Sequence, residues 1–223
     1  MSREKVQECF AVLAEEGAIV EDGTWTERYI DKILDPQQAA AAAVEAIGDD
    51  EVMAPHGIAM ALAFIECVPR SAVAAALRKL WLEGGVFSEE PEQVANLFRE
   101  ALKAPEALMT PAEASALGEL PEYVCIFRGQ LHGDLPDQPS GMSWTLKEEV
   151  ADWYAAPIPG QALRGRVLSA LVPRHAVMAL FLARAEVEVI VDPAVLQGLS
   201  VRSRPGRSDE FPPHLMAGKS LFF

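Results

Sequence analysis

The chain has 223 residues and a mass of 24.2 kDa, and half of its residues are apolar, enough for a sizeable core and too many for a disordered or fibrous chain. Its 33 acidic against 19 basic side chains leave a formal net charge of −14, which argues against a surface built to coat nucleic acid or an anionic membrane. Acids interrupt the N-terminal SREKVQECF stretch, and the apolar run from Gly57 to Ile65 stops at Glu66. Neither a secretion signal nor a bilayer span is therefore expected, and the chain reads as cytoplasmic or delivered into a target cytosol.

Residues 1–120 hold 9 basic and 22 acidic side chains, whereas residues 121–223 hold 10 and 11. That asymmetry predicts two regions, an acidic helical region at 1–118 and an α+β domain at 119–223. Helices are expected from Gln37 to Ile47, an alanine-rich stretch after Asp35-Pro36, from Gly57 to Cys67, and from Ser71 to a Gly84-Gly85 stop. Between Glu92 and Lys103, Val94, Leu97, Phe98, Ala101 and Leu102 repeat at helical spacing after Ser88 and Pro91. Thr110-Pro111-Ala112-Glu113 is a capping box opening a short helix that Gly118 closes.

From Pro121 the composition changes. Tyr123 to Phe127 is a β-branched and aromatic run, expected to be a strand, and a Gly/Pro/Asp-rich loop spans Gly129 to Gly141. Thr145-Leu146-Lys147-Glu148 is a second capping box, opening a helix through Tyr154. Strands are expected at Val167 to Val172 and Val187 to Val191, and a loop at Arg202 to Pro213, where Arg202, Arg204 and Arg207 form a local basic patch. Cys9, Cys67 and Cys125 are odd in number and far apart, as expected of reduced thiols packed as small hydrophobes. His56, His132, His175 and His214 have no zinc spacing with them, so no metal site is expected, and no P-loop, Rossmann turn or nucleophile elbow is present.

Three pieces of the second region carry chemistry. Phe127-Arg128-Gly129 closes a strand, Gly141-Met142-Ser143-Trp144-Thr145 leads into a helix, and Glu186-Val187-Glu188 opens the apolar run to Asp192-Pro193. In this order they resemble the Arg–Ser–Glu class of ADP-ribosyltransferases, with its Glu-x-Glu pair, as found in bacterial and phage effectors and toxins. The resemblance covers residues 121–195. It implies a split antiparallel β-sheet, NAD as substrate, and mono-ADP-ribosyl transfer to a macromolecular acceptor such as an arginine on a protein. It places Arg128, Gly129, Ser143, Trp144 and Thr145 at the NAD site and Glu188 and Glu186 at the catalytic step, with the acidic helices free to bind a protein partner.

The chemistry itself demands such a set. Breaking the nicotinamide–ribose bond develops positive charge on the sugar, which a fixed carboxylate stabilises, here Glu188. Glu186, two residues earlier on the same strand, projects to the same side and would orient or deprotonate the acceptor. A guanidinium matches phosphate oxygens with paired planar donors, the part of Arg128. Ser143 would hold the carboxylate or the ribose, Thr145 would support the turn, and Trp144, Trp153 or Tyr154 would stack on nicotinamide.

Taken singly, these residues have plainer uses. Arg128 can be a surface arginine, Thr145 a helix N-cap, Glu186 and Glu188 the polar face of a half-exposed strand, and Trp153 and Tyr154 core. Two other functions fit the same residues. A non-catalytic partner-binding protein on this fold is favoured by the indole of Trp144, where the family often has a small hydroxyl residue. An NAD glycohydrolase would pass the ribosyl group to water.

Overall fold

The computed structural model describes residues 70–83, 91–130, 141–156, 165–183 and 186–207, with isolated positions between 3 and 42. The helices expected at 37–47 and 57–67, apart from Gln38 and Ala42, lie outside the described residues, as do Cys9, Cys67, His56, His132, His214 and the loop at 131–140. The chain divides into two compact units, Met1–Thr110 and Pro111–Phe223. The boundary thus precedes the Pro111 helix instead of following Gly118, because that helix packs on the sheet of the second unit.

The first unit contains α1 (Arg70–Glu83), α2 (Pro91–Ala101) and α3 (Pro105–Leu108). Helical periodicity on α2 buries Val94, Leu97, Phe98 and Ala101 along one stripe, and proline at the first position needs no amide partner there. Leu77, Leu97, Phe98 and Leu108 are fully buried, and the Trp81 ring meets Phe98 edge-on at 5.0 Å between centroids. Arg78 Nη1 donates to the Leu108 carbonyl at 3.0 Å, satisfying an end that α3 leaves open. Ion pairs stay on the surface: Arg99 with Glu92 at 2.6 Å and Lys103 with Glu100 at 2.7 Å. The hydrogen bond from Lys103 holds the Glu100 carboxyl below its ordinary value.

The second unit runs α4 (Pro111–Glu119), β1 (Tyr123–Gln130), β2 (Ser143–Thr145), α5 (Glu148–Tyr154), β3 (Arg166–Pro173), a 3₁₀ turn (Arg174–Ala176), β4 (Val177–Phe181), β5 (Glu188–Val191), α6 (Pro193–Leu196) and β6 (Arg202–Pro205). The strands form one six-stranded sheet in the order β4-β5-β2-β1-β3-β6. Every pairing is antiparallel, so the unit is α+β. β1 and β3 pair along their whole length, from Tyr123 with Pro173 to Gln130 with Arg166.

Alternation sends Val124, Ile126, Trp144, Leu168, Ala170, Val172, Val189 and Val191 into one core, with Ala116 and Leu117 of α4 packed against it. On the opposite face Ala151 of α5 and Ala155 just after it cover Val167 and Phe127. A Cβ at Gly129 would lie 2.3 Å from the Ala151 carbonyl oxygen, so the absence of a side chain there lets α5 sit on β1. Arg174 Nη1 donates to the carbonyls of Gly118 and Leu120 at 2.8 and 2.9 Å, closing the C-terminal end of α4.

Several expectations are corrected here. The sheet is continuous instead of split, but its two three-strand halves are joined through a single register pair, Phe127 with Thr145. Residues 202–205 are an edge strand, not a loop, because Ser169 to Arg166 of β3 offer a ladder that the polar sequence of β6 completes. Within the expected basic patch Arg204 is paired: it donates to both carboxylate oxygens of Asp152 at 2.7 and 2.8 Å and to Glu148 at 2.5 Å. Cys125 is exposed, not packed, since it sits on the outward side of β1 opposite Leu171, itself 57% exposed. Gly118 does not end α4, which continues to Glu119. Among the described residues no helix is long and apolar enough to cross a membrane, and no three His, Cys, Asp or Glu side chains form a metal cluster.

Candidate active site

The cleft opens where the two halves of the sheet part. Beyond the Phe127–Thr145 pair, continued pairing would set Arg128 opposite Trp144 and Gly129 opposite Ser143. These four residues instead line a cleft of about 240 Å³, together with Phe127, Thr145, Val150, Tyr154, Glu186 and Glu188. Arg128, Gly129, Ser143, Trp144, Thr145, Glu186 and Glu188, the residues assigned by resemblance, therefore border one cavity. The register also places Phe127, Thr145 and Glu188 in one row across three strands, with their side chains on the same face.

Arg128 donates from Nη1 to the Ser143 carbonyl at 2.7 Å, a carbonyl that pairing with β1 does not use. A Cβ at Gly141 would stand 2.3 Å from its guanidinium carbon, so the chain entering β2 must carry glycine for this arginine to lie where it does. Ser143 in turn donates from Oγ to Glu188 Oε1 at 2.5 Å. Glu188 is the first residue of β5, laddered to Thr145 on one side and Phe181 on the other. Its carboxylate is thus fixed both by its strand and by a hydroxyl.

Glu186 reaches the cleft by a different route from the one its spacing suggests. It precedes β5, and Val187 between the two glutamates has φ 46°, so a turn and not strand alternation brings both carboxylates to the same cavity. A β-branched residue in the left-handed region costs about 1–3 kcal/mol and persists only where its surroundings hold it. The restraints are visible: Thr145 Oγ1 donates to the Glu186 carbonyl at 2.5 Å, and the Leu146 amide donates to the Val187 carbonyl at 3.1 Å. Glu186 is 6% exposed, and no described residue donates a hydrogen bond to its carboxylate.

Two assignments change. Thr145 is the last residue of β2 and not a helix cap: its Oγ1 accepts from the Lys147 amide at 3.0 Å, and Lys147 itself precedes α5 without a side-chain cap. Trp144 is 2% exposed, packed in the sheet core with Nε1 donating to the Gly141 carbonyl at 2.9 Å, so its indole is no stacking surface. The aromatic walls are Phe127 and Tyr154, while Trp153 is not among the lining residues. Phe127 and Val150 went unassigned in the sequence, although alternation from buried Ile126 places Phe127 on the cleft side of β1.

Helix α5, which contributes Val150 and Tyr154, is anchored from behind by β6. Arg204 grips Asp152 and Glu148, and the Arg207 amide adds a bond to Asp152 Oδ1 at 2.8 Å. The hydrogen bond from Arg204 holds the Asp152 carboxyl below its ordinary value, against burial, which pushes it up. No family model, no curated protein and no solved structure matches the chain.

Proposed function

We propose that the protein is an NAD-dependent mono-ADP-ribosyltransferase with an ADP-ribosyltransferase-like domain at its C-terminal half, acting on a macromolecular acceptor. The observation that supports this reading is the convergence of Arg128, Ser143, Glu186 and Glu188, from three separated segments, on one cleft in which Ser143 orients Glu188. A cavity of about 240 Å³ is smaller than the ~300–1,000 Å³ of pockets that enclose a drug-sized ligand. It suits the nicotinamide–ribose end of the dinucleotide, with the diphosphate toward Arg128.

Glu188, held by Ser143, lies ready to stabilise the positive charge that develops on the ribose as the C1′–N bond breaks and its electron pair leaves with nicotinamide. Glu186 offers the acceptor a buried carboxylate that no described side chain neutralises. A guanidinium satisfies such a group, and as its nitrogen bonds C1′ its proton passes to Glu186. Phe127 and Tyr154 supply apolar walls for the leaving base.

The test is nicotinamide release from NAD labelled in its ADP-ribose part, with and without cell lysate, beside the Glu188→Gln variant. Release that depends on Glu188, with label on lysate protein, is the expected result. Free ADP-ribose without labelled protein would make the enzyme a glycohydrolase. No release under either condition would overturn the enzymatic reading in favour of a partner-binding protein.

A further inference from the structure

We infer that Thr145 is a positioning residue which, by latching the strained turn at Val187, decides how the ribosyl group divides between acceptor and water. The inference rests on the transferase reading of the cleft and concerns a separate question: what keeps the two carboxylates in different but fixed places.

Their restraints are unequal. Glu188 is held three times over, by its pairing with Thr145, by its pairing with Phe181 and by the Ser143 hydroxyl. None of these depends on the turn before it. Glu186 stands outside the ladder, and among the described residues it is anchored through its own backbone carbonyl, which accepts from Thr145 Oγ1. The next carbonyl, of Val187, accepts from Leu146. The Lys147 amide donates to the same Thr145 oxygen, and that bond leaves the hydroxyl proton directed at Glu186. One hydroxyl thus joins the end of β2 to the turn carrying Glu186.

Val187 stores the opposing tendency. At φ 46° a valine lies in a region that its β-branched side chain disfavours, so release of the Glu186 carbonyl lets it return to negative φ. Such a rotation turns the residue before it and leaves the residue after it in its strand. Loss of the Thr145 hydroxyl should therefore displace Glu186 while Glu188 stays where Ser143 holds it. In both reactions the C1′–N bond breaks and its electron pair leaves with nicotinamide. Transfer then needs Glu186 to take the proton of the acceptor nitrogen as that nitrogen bonds C1′, whereas water can bond C1′ and give its proton to bulk solvent.

The experiment compares Thr145→Val, which keeps the shape and removes the hydroxyl, with Thr145→Ser, which keeps the hydroxyl. Full-length protein is assayed for nicotinamide release and for label on acceptor protein, and the structure of Thr145→Val is solved. The expected result is a fall of about tenfold or more in acceptor labelling per nicotinamide released in Thr145→Val. Thr145→Ser should restore the wild-type ratio, and Val187 should adopt negative φ in the valine variant. Parallel loss of both activities in Thr145→Val, or an unchanged ratio, would overturn the inference. Failure of wild type to release nicotinamide would instead bring down the transferase reading. The structural arm separates the two cases, because a Val187 that keeps positive φ without the hydroxyl refutes the latch whatever the activity.

Discussion

The two units fill their interiors with different chemistry. In the described part of Met1–Thr110 the buried side chains are hydrophobic, Leu77, Leu97, Phe98 and Leu108 among them, and its ion pairs lie at the surface. Pro111–Phe223 buries Glu113, Gln130, Thr145 and Glu186 as well. A buried polar group is costly unless hydrogen-bonded, and a buried charge more so. Glu113 meets that demand by accepting the Leu182 amide at 2.8 Å, and Thr145 by bonding both Glu186 and Lys147. Glu186 receives nothing at its carboxylate from the described residues. The described interior of the first unit is apolar, whereas the second holds at its cleft a carboxylate to which no described residue donates.

The sharpest way to expose that difference is to damage each interior in turn. Phe98→Ala removes a fully buried ring from the first unit and should cost about 3–5 kcal/mol in denaturant unfolding. A loss under about 1 kcal/mol would show that this core is not packed as described. Glu188→Gln should do the reverse, lowering nicotinamide release by about 10²–10³-fold with no fall in unfolding temperature, read by product chromatography and calorimetry.

Asp152→Asn tests the support behind the cleft and should lower stability by about 1–3 kcal/mol at neutral pH. Its pH dependence has a definite sign. The Asp152 carboxyl is held below its unfolded value, so its contribution is present above about pH 4 and is lost as pH falls through the folded value. Melting curves of wild type and variant should converge on acidification, and a constant gap would sink the account. Smallest of all, Lys103→Ala breaks an exposed pair of the first unit, with the lysine side chain 57% exposed, and should change stability by no more than about 0.5 kcal/mol.

What the sequence revealed followed the strength of its local signals. α1 and α2 combine helical spacing with proline or glycine punctuation, and β1 and β3 are apolar runs between breakers, so each was legible to within a few residues. β4, Val-Met-Ala-Leu-Phe, is buried at every position and therefore shows no alternation. β2 has only three residues, and the Thr145 to Glu148 pattern competes for them as a capping box. At β6 the arginines are held by α5, a tertiary contact that no local pattern announces. That Arg128, Gly129, Ser143, Trp144, Thr145, Glu186 and Glu188 line one cleft was legible in their order along the chain. The turn at Val187 could not, because valine is among the residues least expected there and the bonds that impose it come from β2.

The order of strands in the sheet has a consequence for the life of the chain. β5 lies between β4 and β2, and β2 lies between β5 and β1, so Glu188 meets Ser143 and Arg128 only through pairings between segments distant in sequence. Such contacts form late, after long loops have closed. A nascent chain still short of residue 188 carries the arginine and the serine but has no cleft in which to use them. The cleft is therefore complete only once the strands of the second unit have closed on one another.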